Sequence, residues 1–167
     1  VPRAGGQPRI IETDAFFHFH FVNGYEEDGV LVLDLCRYPD YLTIGQVLRE
    51  YWKSDWPSYG MARLTRLQIE LSTGKVDRRV FDTGNANEFP IINPAYVGKR
   101  HRYAYIACNR ADRLTGLQQQ LAKVDFQAGT VLRHDFGPNG YPGEPFFIAR
   151  PGGGEDDGVI VTLVFDA

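Results

Sequence analysis

The chain has 167 residues, of which 43% are hydrophobic and 23% charged, a composition typical of one folded domain with its own core. Its formal net charge is −3 and it has no basic run, which argues against a nucleic-acid partner, because phosphate binding needs clustered lysine and arginine. No run of about 18 apolar residues occurs, so the sequence predicts no transmembrane helix. Cys36 and Cys108 are predicted to be free thiols of a cytoplasmic protein.

The first strong element is an aromatic strand over residues 16–22, in which histidines alternate with phenylalanines. Side chains alternate across a strand, so Phe17, Phe19 and Phe21 are predicted to share one face. His18 and His20 then share the other face, and the strand is predicted to break at the Asn-Gly pair that follows. Two imidazoles on one face could hold a metal ion together, and the alternative is that each is a hydrogen-bonded core residue.

Short strands separated by turn residues make up most of the remaining chain, which predicts an all-β fold. Apolar and β-branched runs bounded by turn residues place these strands at residues 30–36, 62–71, 75–81, 102–108, 119–126, 130–136, 145–149 and 159–165.

One insertion departs from the strand pattern and is rich in tryptophan and tyrosine. Apolar residues at helical spacing, from Ile44 to Tyr51, predict a short amphipathic helix around residues 43–53. The helix is expected to cap one end of the fold. Alternatively, with Trp52, it forms the wall of a hydrophobic tunnel or a patch that contacts a membrane interface.

An internal repeat indicates the architecture. Residues 67–78 recur at 122–133, a shift of 55 residues, and residues 27–32 recur at 156–161. Units of about 50 residues with about four strands each are typical of β-propeller blades, although such hairpin patterns also recur by coincidence. At this period the chain holds about three blades, fewer than the roughly four to eight that close a ring. Residues 1–167 are therefore predicted to be one partial propeller domain, truncated at both ends and completed by other segments or chains.

Two glutamates stand in turn-and-aromatic surroundings that suit a buried carboxylate. Glu144 lies in the segment 140–147, and Glu88 precedes a Phe-Pro pair. A histidine that binds a metal commonly donates its second N–H to a carboxylate, so Glu144 could orient such a ring. The alternative is that Glu144 accepts backbone N–H groups at a turn. His101 and His134 are predicted to lie at the surface.

Four segments, in order, resemble the carotenoid cleavage oxygenase family, which includes apocarotenoid oxygenases, stilbene-cleaving enzymes and the retinal pigment epithelium isomerase. The segments are 19–29, 87–93, 102–105 and 134–158, which together span nearly the whole chain. The resemblance implies a seven-bladed β-propeller with a helical dome. It also implies a non-heme Fe(II) dioxygenase that holds its iron with four histidines and uses O₂ to split a conjugated C=C bond into two carbonyl products.

The resemblance also assigns residues. His20 matches one of the iron ligands, and Glu144 matches a carboxylate that hydrogen-bonds a ligating histidine, with His20 as its expected partner. Glu88 matches a motif position whose role looks structural. Cavity lining is expected from His18, Phe19, Phe21 and Trp52. The other ligands fall outside residues 1–167, so the isolated chain is expected neither to retain Fe²⁺ nor to be active, because one imidazole holds this weakly bound metal poorly.

The substrate implied is a hydrophobic carotenoid or apocarotenoid polyene, together with O₂. A stilbenoid-cleaving or a retinoid-isomerising activity of the same family is the alternative. The alternative from another class is a non-catalytic propeller fragment used for binding. The expected location is cytoplasmic, with peripheral membrane contact left open.

Overall fold

The computed structural model describes residues 1–42, 45, 49, 61–110 and 117–167. These residues confirm the predicted all-β fold. The strands are β1 (Phe17–Glu27), β2 (Val30–Tyr38), β3 (Arg63–Glu70), β4 (Val76–Val80), β5 (Asn85–Ile91), β6 (Tyr103–Asn109), β7 (Gln120–Asp125), β8 (Thr130–Asp135), β9 (Gly140–Pro142), β10 (Phe146–Ala149), β11 (Gly158–Val161) and β12 (Val164–Asp166), with a short 3-10 helix at Pro94–Tyr96.

The strands form successive antiparallel sheets. The first sheet has the order β1-β2-β3-β4, and the second has the order β5-β6-β7-β8. Two smaller two-stranded sheets follow, β10 with β11 and β12 with β9. Each four-stranded sheet is a meander of sequential neighbours, which is the construction of a propeller blade.

The internal repeat corresponds to equivalent hairpins in the two large sheets. Ile69 pairs with Val76 in the β3–β4 hairpin, and Val124 pairs with Val131 in the β7–β8 hairpin. Each pair is related to the other by the 55-residue shift seen in the sequence. The second recurrence places β2 and β11 in equivalent positions, since each is the second strand of an antiparallel hairpin. The repeat prediction is therefore confirmed.

The main apolar core lies between the first and second sheets. It joins residues of both, namely Val22, Leu64, Phe81, Ile92, Ala104, Ile106, Val124 and Phe126. Burying these side chains stabilises the association of the two sheets, with each large aliphatic or aromatic group contributing about 1.5–3 kcal/mol.

A buried ion pair sits beside this core. Asp34 on β2 is 1% exposed and accepts two hydrogen bonds of 2.8 Å from the Arg66 guanidinium on β3. Arg66 in turn lies over the ring of Phe126, with its Cζ 4.5 Å from the ring centroid. His101, from the segment between β5 and β6, approaches Asp34 to 3.3 Å without hydrogen-bond alignment. The prediction that His101 lies at the surface is wrong, because the ring is buried beside Asp34.

The predicted break at Asn23-Gly24 is also wrong, since β1 continues to Glu27 and turns at Asp28-Gly29. Asn23 is buried and donates to the carbonyls of Tyr96 and Lys99, so its amide is used between sheets instead of in a turn. Conversely, β5 was not predicted as a strand. Pro90 and two left-handed residues interrupt its pattern.

Cys36 and Cys108 are both free, as predicted, and both are buried. Burial raises the pKa of the Cys108 thiol to about 11. No helix among the described residues is long and apolar enough to cross a membrane. Of the predicted helix around 43–53, the structure describes residues 45 and 49 alone, and the lining residue Trp52 lies outside the described residues.

We expect Asp34→Asn to destabilise the full-length protein by about 3–5 kcal/mol, because the mostly buried Arg66 then loses its counter-charge. Asp77→Asn is the matched control, since Asp77 pairs with Lys75 where both side chains are 66% exposed, and such pairs contribute about 0–1 kcal/mol. Urea unfolding of both variants measures the difference. Equal midpoints for the two variants would contradict the role given to Asp34.

Candidate functional site

The two histidines of β1 face different neighbours because the strand is irregular at this point. The pairing of β1 with β2 shifts register between His18 and Phe21, and again between Phe21 and Asn23. Such bulges interrupt the alternation of side chains. The His18 ring therefore lies 4.4 Å from the Phe21 ring, whereas the His20 ring lies 5.5 Å from Phe89 on β5. The common face expected for His18 and His20 is wrong.

His20 is held by a carboxylate from the second sheet. Its Nδ1 lies 2.5 Å from Glu88 Oε2, and the Glu88 side chain is 8% exposed. An ionised carboxylate only accepts, so a neutral imidazole that donates to it from Nδ1 has its Nε2 lone pair available. Within the described residues Nε2 makes no hydrogen bond, and the ring is 41% exposed. This arrangement fits a metal ligand whose ring direction is set by a carboxylate.

The second carboxylate oxygen of Glu88 also accepts a hydrogen bond. The buried Tyr38 hydroxyl, at the end of β2, donates to Glu88 Oε1 at 2.5 Å. Burial, and next the Glu88 charge, raise the pKa of Tyr38 far above its usual value, so the hydroxyl stays protonated and remains a donor. Each carboxylate oxygen therefore has one donor, which offsets the cost of removing the charge from water.

The backbone of β5 is strained on both sides of this carboxylate. Ala86 and Phe89 each have φ of 51°, in the left-handed region that non-glycine residues avoid. The pairing with β6 shifts register on either side of Glu88. Such conformations cost about 1–3 kcal/mol each and persist only where the surroundings impose them. Here they accompany the contacts of Glu88 and Phe89 with His20 across the sheets.

Asn87 fixes the strained strand to the first sheet. Its Oδ1 accepts the backbone N–H of Leu64 at 2.8 Å and also the Thr83 hydroxyl. Its own backbone N–H donates to the Ala62 carbonyl at 3.0 Å. The side chain is fully buried, so these bonds tie β5 to the start of β3.

Glu144, the expected partner of His20, does not contact it. The side chain is exposed and makes no hydrogen bond or ion pair within the described residues, whereas Glu88 occupies His20 Nδ1. The predicted pairing of His20 with Glu144 is therefore wrong. The carboxylate that contacts His20 is that of Glu88, for which only a structural role was expected. Both glutamates suited the pattern, and only the contact between sheets distinguishes them.

The rings of Phe19 and Phe89 lie beside His20, at centroid distances of 6.4 Å and 5.5 Å, whereas Phe21 lies beside His18. Phe19 and Phe21 are 51% and 52% exposed, and the Phe19 ring lies edge-on to Tyr38 at 5.8 Å. His18 Nδ1 is buried without a partner in the described part of the chain. No group of three or more potential ligands that could hold a metal occurs within residues 1–42, 61–110 and 117–167. An apolar cavity of about 630 Å³ lies elsewhere, between β7–β8 and β11.

Successive four-stranded antiparallel meanders, with a carboxylate-held imidazole between two of the sheets, place this chain among the β-propeller proteins. The family model described as retinal pigment epithelial membrane protein, RPE65, matches residues 1–167. The chain belongs to this RPE65/carotenoid cleavage oxygenase family.

Named relatives match nearly the whole chain. It is 33% identical to the apocarotenoid-15,15'-oxygenase of Synechocystis, over 100% of this chain and 34% of that protein. It is 36% identical to the chloroplastic 9-cis-epoxycarotenoid dioxygenase NCED1 of Oryza sativa subsp. japonica, over 99% of this chain and 27% of that protein. The chain thus spans about a quarter to a third of the length of these two relatives.

Solved structures agree with the fold. Cobalt-substituted Synechocystis ACO superposes with a TM-score of 0.84 at 32% identity, covering 99% of this chain and 34% of that one. A chimera of ACO and RPE65 gives the same TM-score at 31% identity and the same coverage. Because these structures are β-propellers, the described sheets are blades of a propeller, as predicted.

We expect Asn87→Ala to leave the Leu64 N–H buried without its acceptor, at a cost of about 1–3 kcal/mol. Hydrogen exchange should show the Leu64 amide losing protection, together with a lower unfolding midpoint. Asn139→Ala changes an exposed asparagine and serves as the control. Unchanged protection of Leu64 would show that Asn87 does not anchor β5.

Proposed function

We propose that the full-length protein containing this chain is a non-heme Fe(II) dioxygenase that cleaves a conjugated C=C bond of a carotenoid or apocarotenoid. The observation that carries the proposal is the 2.5 Å bond between His20 Nδ1 and Glu88, which leaves Nε2 available as a ligand. The relatives named as carotenoid- and apocarotenoid-cleaving enzymes support the reaction and the substrate class.

In this proposal His20 supplies one imidazole ligand. A bound ferrous ion would supply the activation of O₂, which side chains alone do not provide. Glu88 holds the ring in one tautomer and one direction, so Nε2 is presented without reorganisation. A solved relative described as cobalt-substituted supports a divalent metal site in that relative. The remaining ligands are proposed to come from segments outside residues 1–167, so the isolated chain is proposed to be inactive.

The surroundings of His20 suit an apolar polyene. Phe19 presents a half-exposed ring whose centroid lies 6.4 Å from that of His20, and such a surface favours contact with an apolar ligand while excluding water. Phe21, also half-exposed, is proposed to line the cavity as well. His18, next to Phe21, is proposed to contribute to the same lining. Glu144 is proposed to bond a ligating histidine other than His20, in a part of the protein outside this chain.

A retinoid isomerase is the second candidate, because the family model that matches the whole chain is that of RPE65. Both activities would use the same metal site, so the products distinguish them. Incubation with an apocarotenoid under O₂ should give two carbonyl products, whereas an isomerase would convert a retinyl ester without cleavage.

We expect His20→Ala in the full-length protein to abolish metal retention and to lower turnover by at least about 100-fold, because a ligand is lost from the metal site. Metal content and carbonyl products measure the effect. His134→Ala is the matched control, since His134 is exposed on β8 and its ring packs against Phe136. Full metal content and full turnover in the His20 variant would refute the proposal.

A further inference from the structure

We propose that Tyr38 is a positioning residue for His20 that acts through Glu88. Its hydroxyl fixes one carboxylate oxygen so that the other oxygen holds the imidazole Nδ1. This inference rests on the proposed function, because it concerns the proposed ligand His20. Tyr38 itself makes no hydrogen bond to that ring, so its effect passes through the carboxylate.

The geometry of a glutamate explains why a second donor matters. The terminal torsion of Glu is broad, so one hydrogen bond alone leaves the carboxylate plane free to turn. Tyr38 and His20 approach different oxygens, each at 2.5 Å. Two donors on opposite oxygens fix the carboxylate plane and, with it, the direction of the bond to His20.

Tyr38 is itself rigid. The residue is 5% exposed, and its backbone pairs with Phe17 on β1. The Phe19 ring stands perpendicular to the Tyr38 ring at 5.8 Å, and the Phe17 ring lies at 6.2 Å. The packing therefore holds the Tyr38 hydroxyl in one position. Tyr38 lies on β2, next to the strand β1 that carries His20, whereas Glu88 lies in the second sheet.

Nothing else in the described part of the chain replaces this donor. Glu88 Oε1 has the Tyr38 hydroxyl as its hydrogen-bond partner there, and Glu88 is 6% exposed. Removing the hydroxyl leaves a buried carboxylate oxygen unpaired, which favours a shift of the group toward other donors or water. The bond to His20 is then weakened without any change to the histidine.

The test compares Tyr38→Phe with Tyr105→Phe in the full-length protein, from which metal is first removed and to which Co²⁺ is then added. Tyr105 is a matched control, because it is 6% exposed and donates to the Asp156 carboxylate at 2.5 Å, away from His20. Chelator competition gives the Co²⁺ affinity, the visible d–d spectrum reports ligand geometry, and thermal unfolding checks the fold.

We expect Tyr38→Phe to weaken Co²⁺ binding about tenfold and to change the d–d spectrum. Mutating a group that hydrogen-bonds a metal ligand typically lowers metal affinity by about 10- to 100-fold, and Tyr38 acts one bond further away. Tyr105→Phe should alter neither quantity. In a Glu88→Ala background Tyr38→Phe should have no further effect on affinity, because the carboxylate through which it acts is gone.

Wild-type affinity and spectrum in Tyr38→Phe would overturn the inference, as would an equal loss in the Glu88→Ala background. His20→Ala separates this result from the proposed function. If that variant loses Co²⁺ while Tyr38→Phe binds normally, only the role of Tyr38 fails. If His20→Ala keeps Co²⁺ with the wild-type spectrum, the proposed ligand fails, and the inference fails with it.

Discussion

The hydrogen bond between His20 and Glu88 is the contact on which the site depends, because its two residues come from different sheets. His20 lies on β1 and Glu88 on β5, 68 residues apart, yet their atoms approach to 2.5 Å. A hydrogen bond weakens steeply with misalignment, so the two sheets must keep one relative position. The carboxylate of the buried residue Glu88 also requires donors, and both of its donors, His20 and Tyr38, come from the first sheet. An arrangement that separated the sheets would therefore leave this charge unpaired.

Hydrogen bonds between the first and second sheets fix their relative position, which the apolar core alone does not fix. Hydrophobic burial is non-directional, so the cluster around Leu64 and Ile106 brings the sheets together without setting their register. The register is set by two asparagines. Asn87 on β5 accepts the Leu64 N–H of β3. Asn23 on β1 donates to the carbonyls of Tyr96 and Lys99, which lie between β5 and β6. Both amides are buried, which makes their bonds costly to lose.

The regular parts of the chain could be predicted from the sequence, and the contacts between sheets could not. The 55-residue repeat predicted the hairpins at Gly74 and Gly129, since local turn chemistry and strand periodicity determine them. His20 emerged from the resemblance, whereas its carboxylate was assigned to Glu144. The choice between Glu88 and Glu144 depends on how the sheets pack, and no local pattern encodes that. His101 was misplaced for the same reason, because its burial beside Asp34 involves two sheets.

Two irregular strands that the strand patterns mispredict, β1 and β5, carry the residues of the site. Perfect alternation in β1 would put His18 and His20 on one face, and the bulges instead direct them to different neighbours. Regular geometry in β5 would remove the left-handed residues Ala86 and Phe89, which flank Glu88. Each costs about 1–3 kcal/mol, a cost that the bonds of Asn87 and the two donors on Glu88 can offset. Strain concentrated at one irregular strand is expected where function outweighs local preference.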